Sequence, residues 1–489
     1  MPLGILILVG VGIYLRTINI TQSLWLDELH TAWVVSDGYG EMPARVAIGH
    51  TSPAYFYWAY LLTQTGGGIS EVNLRILSLM AGGLLIVVVY QTAWEMTRRN
   101  VCAALAAAII TFGPHSVFYS QDARAYGLVQ LLAATHLLLT RRLWLSPSFG
   151  RRLLCGALAY YLFLLHYTSA LQLASLVVAY WIGVLVLGKR SWRYRPVSWL
   201  IDHAVVGLVC SLQLPQLWSI ALQRDQWASF VDPVSLVQLP LVIPVISLVA
   251  TAALVSVVGC RFRRAQMTRA SAASWCILMA GFVVPITLAV LLTNLGLAPI
   301  FHVRYVIVAI VPGALLVALL LRRIRPMGAH WLGLAAVIGM AVATFEWDFD
   351  AATNRSQDWR AAIAQVDGSI QPKTVFLRSG FIEADRVRTD SRVVAFALSP
   401  VMSIYPIHQK RLIPLPTTES GKLSAAEFEA LRAEGAAWFI VCGTPESVRE
   451  FQQELNATLL QHGVSGKLEQ FPYGDVTVML CRLSAAARP

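Results

Sequence analysis

The sequence predicts an α-helical polytopic membrane protein of about eleven transmembrane helices, followed by a C-terminal extracytoplasmic α/β domain. Three observations carry that prediction. First, 56% of the 489 residues are hydrophobic and 13% are charged, and mean hydropathy is +0.60; soluble domains carry roughly 25% charged residues. Second, apolar runs recur from Leu3 to Phe345, many of them near the ~20 residues that cross a bilayer. Third, charges return at ordinary density from Glu346 onward, with 15 basic and 17 acidic residues in 346–489. The boundaries are therefore 1–345 for a membrane domain and 346–489 for a soluble domain, which is long enough to bury its own core.

The net charge of +11 is carried by the membrane part, with 23 basic against 10 acidic residues. The excess sits in short loops: Arg98-Arg99, Arg141 to Arg152, Lys189 to Arg195, Arg261 to Arg269 and Arg322 to Arg325. Basic residues concentrated in loops between apolar runs follow the positive-inside pattern and place those loops in the cytoplasm. A nucleic-acid surface is excluded on the same ground. The seven cysteines form no C-x-x-C pair, so no metal-ligand spacing is present. Cys442 and Cys481, both in the tail, are a candidate disulfide if the tail faces an oxidising compartment.

The basic loops order the spans by parity. Leu3 to Leu15 reads as an uncleaved first helix running outward, with Arg16 free to snorkel at its outer end. An outer loop of about 19–71 follows, in which PAYFYWAYLLTQ (53–64) suits an interfacial helix rather than a span. Then come Val72 to Met96 inward, Val101 to Tyr119 outward and Gly127 to Thr140 inward. Leu153 to Leu165 runs outward, Ala170 to Leu187 inward, Trp199 to Ile220 outward and Ser235 to Val258 inward. Ala272 to Thr293 runs outward, Tyr305 to Leu321 inward and Trp331 to Phe345 outward. Every basic loop then falls on one side, and the tail on the other. In the tail, helical patterns at 358–366, 425–435 and 446–463 alternate with strand patterns at 374–380, 438–443 and 476–483, as in an α/β layer domain.

The polar residues of the outer face hold the candidate chemistry. Asp27 and Glu28 in LWLDELHTAW follow the first helix, and an acidic pair beside Trp25 and Leu26 at a membrane surface is costly without a task; a solvated, helix-capping pair is the plainer alternative. His50 and Pro53 lead into the aromatic helix, where a helix-start turn is the ordinary explanation. SQDARAYGL gathers Gln121, Asp122, Arg124 and Tyr126, an Asp–Arg pair that could simply cap a loop. FHVRY supplies His302, Arg304 and Tyr305. Arg75 and His166 map to the same face. Carboxylates and guanidiniums converging there are what an anionic lipid-linked substrate requires.

The order LWLDE, H-x-x-P-x-Y-x-x-W, NLRILS, YSQDARAY and then RY before an apolar span resembles the bacterial members of glycosyltransferase family 39. These are similar to protein O-mannosyltransferases and the aminoarabinose lipid A transferase, all of the GT-C fold. The resemblance covers the membrane domain, above all residues 20 to 130. Here Asp122 stands where the usual signature has Glu, and His50-Thr51-Ser52-Pro53 where His-Pro-Pro is common.

The resemblance implies an inverting transfer of a hexose or pentose from a polyprenyl monophosphate to an acceptor hydroxyl. The acceptor would be a lipid, a polysaccharide or a protein. Asp27 would be the general base, with Glu28 assisting or orienting the acceptor. Arg124 and Arg304 would hold the phosphate. Arg75, His50, Asp122, Tyr126 and Tyr305 would complete substrate contacts, Arg75 more weakly because it can instead snorkel; a structural role is preferred for His302. A divalent metal, Mg or Mn, at Asp27, Glu28 and Asp122 is an option some relatives use. The location implied is the cytoplasmic (inner) membrane, multi-pass, with the site and tail facing the periplasm or outside. The main rival is a transporter or flippase of lipid-linked saccharides. Such a protein would keep functional polar groups within spans or at broken midplane helices, whereas here they sit at span ends. A membrane anchor presenting the tail as a binding module would not need eleven spans.

Overall fold

A computed structural model of the chain describes residues 3–188, 194–222, 233–259, 268–324, 327–418 and 421–485. The expected basic segments around 189–193, 261–267 and 325 lie outside the described residues. Two compact units emerge. One joins the first 19 residues to Arg75–Thr353; the other joins Ile20–Leu74 to Asn354–Pro489. The outer loop, expected as part of the membrane domain, thus makes its internal contacts with the C-terminal residues.

In the first unit every expected span falls on a helix or an interrupted helix. Leu3–Leu15 and Ala170–Leu187 form at the expected bounds. Glu71–Thr97, Tyr126–Leu145, Phe149–Leu165, Arg269–Asn294 and Met327–Thr344 match the expected ones to within about five residues at each end. Six helices or helical stretches are long and apolar enough to cross a membrane among the described residues, and a bent pair makes seven. Their shared core runs through Ala106, Ile110, Ala134, Ile277 and the helix Ile310–Arg322, whose residues Val311 to Leu319 are all buried.

Two expected spans are broken, each at proline. The run 101–119 is two helices, Asn100–Phe112 and Pro114–Ser120, bent by 59°. Pro114 has no N–H to give Ile110 and forces Gly113 into an extended conformation, with φ −65° and ψ 117°. The run 235–258 likewise resolves into a short helix, Leu239–Val242, and a longer one, Val245–Gly259, on either side of Pro244.

Arg16 closes the first break, and it does not snorkel as expected. It is fully buried. Its guanidinium donates to Ile110 O at 2.9 Å, Thr111 O at 3.3 Å, Gly12 O at 3.0 Å and Ser120 Oγ at 3.1 Å. The cation supplies the donor that Pro114 lacks and sits at the negative end of the helix Asn100–Phe112. Gly82 leaves room for it: a Cβ there would stand 2.2 Å from Ser120 Oγ and 2.8 Å from Arg16 Nε. Arg16→Ala would leave two buried carbonyls unpaired, a loss of about 3 kcal/mol. Thermal unfolding of the purified variant in detergent should show the drop in Tm.

The second unit is built on a five-stranded sheet. Its strands are β1 (Thr374–Arg378), β2 (Arg411–Pro414), β3 (Ala436–Cys442), β4 (Val464–Tyr473) and β5 (Val476–Ala485), in the order β2-β1-β3-β5-β4. β1 is parallel to β2 and β3, while β5 is antiparallel to β3 and β4. The near-continuous apolar run AAWFIVC fits the central position of β3, and the Phe376 and Phe439 rings stack at 4.8 Å in the core. The helix Ala425–Glu434 is started by a Ser424–Glu427 capping box and stopped by Gly435 in the left-handed region, signals readable in the sequence.

The candidate disulfide is not made. Cys442 faces Val476 and Cys481 faces Ala437 on the paired strands β3 and β5, so the two thiols stand at opposite ends of the ladder, roughly 17 Å apart along the strands. Both are free.

The outer loop forms three helices, Leu26–Ser36, Met42–Ile48 and Ala54–Thr65. The third falls on the stretch 53–64, where a helix is expected. Residues 20–26 are stitched to 354–360 and to Tyr405: Leu24 N donates to Tyr405 Oη at 3.1 Å, Leu26 N to Gln357 Oε1 at 3.0 Å, and Arg360 N to Ser23 Oγ at 3.2 Å. Arg360 and Tyr405 both donate to Glu71, at 2.5 and 2.8 Å.

Candidate functional site

In the first unit the segment Ser120 to Tyr126 follows the bend and leads into the helix Tyr126–Leu145. The segment is held from three directions. Gln121 Nε2 donates to Leu15 O at 2.9 Å, Ser120 Oγ is anchored by Arg16, and Ser78 Oγ donates to the carbonyl of Arg124 at 3.1 Å. Gly127 allows close approach, since a Cβ there would lie 2.9 Å from Tyr119 O. Asp122 is fully buried and Arg124 partly exposed. The bend thus presents Arg124 while keeping Asp122 inside.

His166 links this segment to FHVRY. It sits in the turn between Phe149–Leu165 and the short helical turn Tyr167–Ser169. Its ring lies 5.3 Å from the Tyr126 ring and 5.4 Å from the Tyr305 ring, centroid to centroid. Tyr119 packs edge-on against Tyr126 at 5.2 Å. The Arg304 guanidinium lies over Tyr305, 4.9 Å from its centroid. Four expected residues, Arg124, Tyr126, Arg304 and Tyr305, therefore gather around His166.

Burial first, then the positive charges of Arg304 and Arg124, hold the His166 imidazole far below its ordinary value, at about 3. It is neutral at physiological pH. Its Nδ1 accepts from Thr168 N at 3.4 Å and is 2.7 Å from Thr168 Oγ1. With Nδ1 accepting, the proton resides on Nε2, so the ring is a neutral donor. Two guanidiniums, a neutral imidazole N–H and two phenols make a set of donors suited to a phosphate monoester.

The remaining expected residues are less uniform. Arg75 is 1% exposed, so it does not snorkel, and its Nη1 is 3.5 Å from Asn19 O. His302 is exposed and caps the short helix Val303–Val306, its Nδ1 accepting from Arg304 N at 3.2 Å.

In the second unit Asp27 and Glu28 open the helix Leu26–Ser36. They part company there. Glu28 is fully buried and accepts from Trp25 N at 3.3 Å, the N3 reach-back of a capping arrangement. Asp27 is half-buried on the same turn. The helix start is fixed by Gln357, which accepts from both Leu26 N and Trp359 Nε1. His50 lies two residues beyond the helix Met42–Ile48, in the left-handed region at φ 52°. His30, which no sequence pattern flagged, is buried among Trp33, Phe56, Phe381 and Phe396, nearest Phe396 at 5.1 Å. It is a packing residue joining the outer loop to the α/β core.

Among the described residues no three His, Cys, Asp or Glu side chains come together as a metal site would need.

No family model matches the chain, and no curated protein does. Solved structures do resemble it. The structure of ArnT from Cupriavidus metallidurans bound to undecaprenyl phosphate aligns over 97% of both chains, with a TM-score of 0.58 and 13% identity. The apo form of the same protein aligns over the same shares, with a TM-score of 0.57. The oligosaccharyltransferase AglB from Archaeoglobus fulgidus, in complex with an inhibitory peptide and a dolichol-phosphate, aligns over 97% of this chain and 73% of its own, with a TM-score of 0.52 and 11% identity. At such identities the likeness is one of architecture, and the architecture is the one the motifs led us to expect: the chain has the GT-C fold.

Proposed function

We propose that the protein is a membrane glycosyltransferase that moves a sugar from a polyprenyl-phosphate donor to an acceptor hydroxyl on the extracytoplasmic face. The observation that carries the reading is the gathering of Arg124, Arg304, Tyr126 and Tyr305 around a neutral His166. Structures of the same fold hold undecaprenyl phosphate and dolichol-phosphate, which supports a polyprenyl phosphate as the ligand of those donors.

In this reading Asp27 takes the proton of the acceptor hydroxyl as its oxygen attacks the anomeric carbon. The bond from that carbon to the phosphate oxygen breaks with inversion, and the electron pair leaves with the phosphate. Polyprenyl phosphate departs as a dianion, so the donor end needs positive charge more than a general acid. Arg124 and Arg304 match that growing charge with charge-assisted hydrogen bonds, and His166 adds a neutral donor. Asp27 suits the base better than Glu28, because the Glu28 carboxylate is committed to its own helix end. His50, Arg75 and Asp122 are supporting contacts. The sugar is a hexose or pentose, and the acceptor a lipid, polysaccharide or protein.

Binding is the direct test of the donor end. Purified protein in detergent should bind undecaprenyl phosphate saturably. His166→Phe, which keeps ring packing and removes the donor, should weaken binding about fivefold, the worth of one hydrogen bond. Absence of saturable binding by the wild type would remove the donor class from the proposal.

A further inference from the structure

A cavity lies inside the first unit, among the helices Tyr126–Leu145, Phe149–Leu165, Ala170–Leu187 and Pro196–Cys210. Its volume is about 80 Å³, several times the roughly 10–15 Å³ that one water requires. Arg152, Tyr194 and Asp202 line it, so it sits near the helix ends that carry Arg151-Arg152 and Arg195. Leu153, Leu154, Leu200, Ile201 and Val205 on the same helices are exposed, which gives this region an apolar outer surface suited to lipid.

Two buried polar atoms there have no protein partner. Trp199 is 4% exposed and His136 5% exposed, and both line the cavity. Trp199 Nε1 makes no hydrogen bond, nor does His136 Nδ1. Groups of this kind are satisfied in nearly all folded proteins, by water or ligand when not by protein. The Trp199 ring cannot turn away, because it is stacked on Tyr180 at 4.9 Å and on His203 at 4.0 Å.

The charges nearby are already matched. Arg152 binds Asp202 through two nitrogens, at 2.8 and 2.6 Å, and Tyr194 Oη also donates to Asp202. The Arg152–Asp202 pair is thus internally matched, and the cavity leaves Trp199 Nε1 and His136 Nδ1 for a ligand, beside Thr140, His203 and apolar walls. The lining residues Arg152 and Tyr194 each have a cationic neighbour in the chain, the half-buried Arg151 and the exposed Arg195. Unsatisfied polar atoms inside, with basic residues next in the chain to the lining ones, fit a ligand that is itself divided into a polyol and a phosphate.

We propose that this cavity binds the glycerol headgroup of an anionic phospholipid, with headgroup hydroxyls meeting Trp199 Nε1 and His136 Nδ1 and the lipid phosphate held by Arg151 and Arg195. Cationic pockets between helices at a membrane surface bind anionic headgroups in general. The inference stands apart from the transferase reading, since none of its residues belongs to the donor or acceptor site.

Thermal unfolding of the delipidated full-length protein in detergent tests it. Phosphatidylglycerol should raise Tm saturably, while phosphatidylcholine and free glycerol at the same concentrations should not. Trp199→Phe keeps the ring stack and removes the donor; it should weaken the phosphatidylglycerol response about fivefold. Arg195→Gln, at an exposed position that folding tolerates, should weaken the response too. Equal stabilisation by phosphatidylcholine would overturn the proposal, as would equal stabilisation by free glycerol. So would an unchanged response in both variants, which would leave the cavity to ordered water.

Discussion

Asp27→Asn should lower the rate of sugar transfer by ~100-fold or more, the usual effect of removing a positioned general base. The substitution is nearly isosteric and lies on a helix whose first turn is held by other groups. Gln357 fixes Leu26 N and Glu28 accepts from Trp25 N, so the variant should fold and its loss should appear in turnover rather than in Tm. Glu28→Gln should behave in the opposite way. It is fully buried and caps the helix, so its main effect should be a lower Tm, with transfer reduced less than tenfold. If Asp27→Asn turned over at the wild-type rate while Glu28→Gln did not, the base would be Glu28.

Arg304→Gln should cost about 10²–10³ in transfer rate, the range for removing a donor aimed at transition-state charge. Its guanidinium lies over the Tyr305 ring and its charge is felt at His166, so the site would lose charge without losing its aromatic frame. Arg304→Lys should recover only part of the rate, because an ammonium retains the charge but not the planar fork. A structural role would predict the reverse, with both variants unstable and the residual folded fraction fully active. Single-turnover rates corrected for folded protein separate the two outcomes.

Much of the helical frame was legible because apolar run length and basic loops are direct consequences of bilayer thickness and orientation. Ala170–Leu187 forms at the expected bounds, and Ala425–Glu434 is bracketed by its capping box and Gly435. The two proline breaks were also written in the sequence, at Pro114 and Pro244, but hydropathy alone reads through them. The place of Arg16 is hidden from the sequence for a related reason: its carbonyl partners at Ile110 and Thr111 are nearly a hundred residues away and are freed only by the bend. Strands β2 and β4 lack a continuous apolar signal, since Arg411–Pro414 is short and Val464–Tyr473 alternates polar residues along an edge.

The chemistry was legible as a set of motifs and not as a centre. Nothing in LLHYTS announces that His166 will stand between Tyr126 and Tyr305; only the helix packing brings those rings within 5.5 Å. The association of residues 20–74 with the tail was equally hidden, because it rests on scattered polar contacts such as Leu24–Tyr405 and Glu71–Arg360. Asp27 and Glu28 are adjacent in the sequence, but burial separates them: Glu28 is fully buried and Asp27 half-buried.

The most direct measurement of the central claim is donor consumption by the purified wild type in proteoliposomes, using a panel of polyprenyl-phosphate sugars labelled in the sugar and a membrane extract as acceptor. Transfer of label to an acceptor, with polyprenyl phosphate released in equal amount and the label lost in Asp27→Asn, is the predicted result. Movement of intact labelled donor across the bilayer without any release of polyprenyl phosphate would contradict it and make the protein a transporter of lipid-linked saccharides.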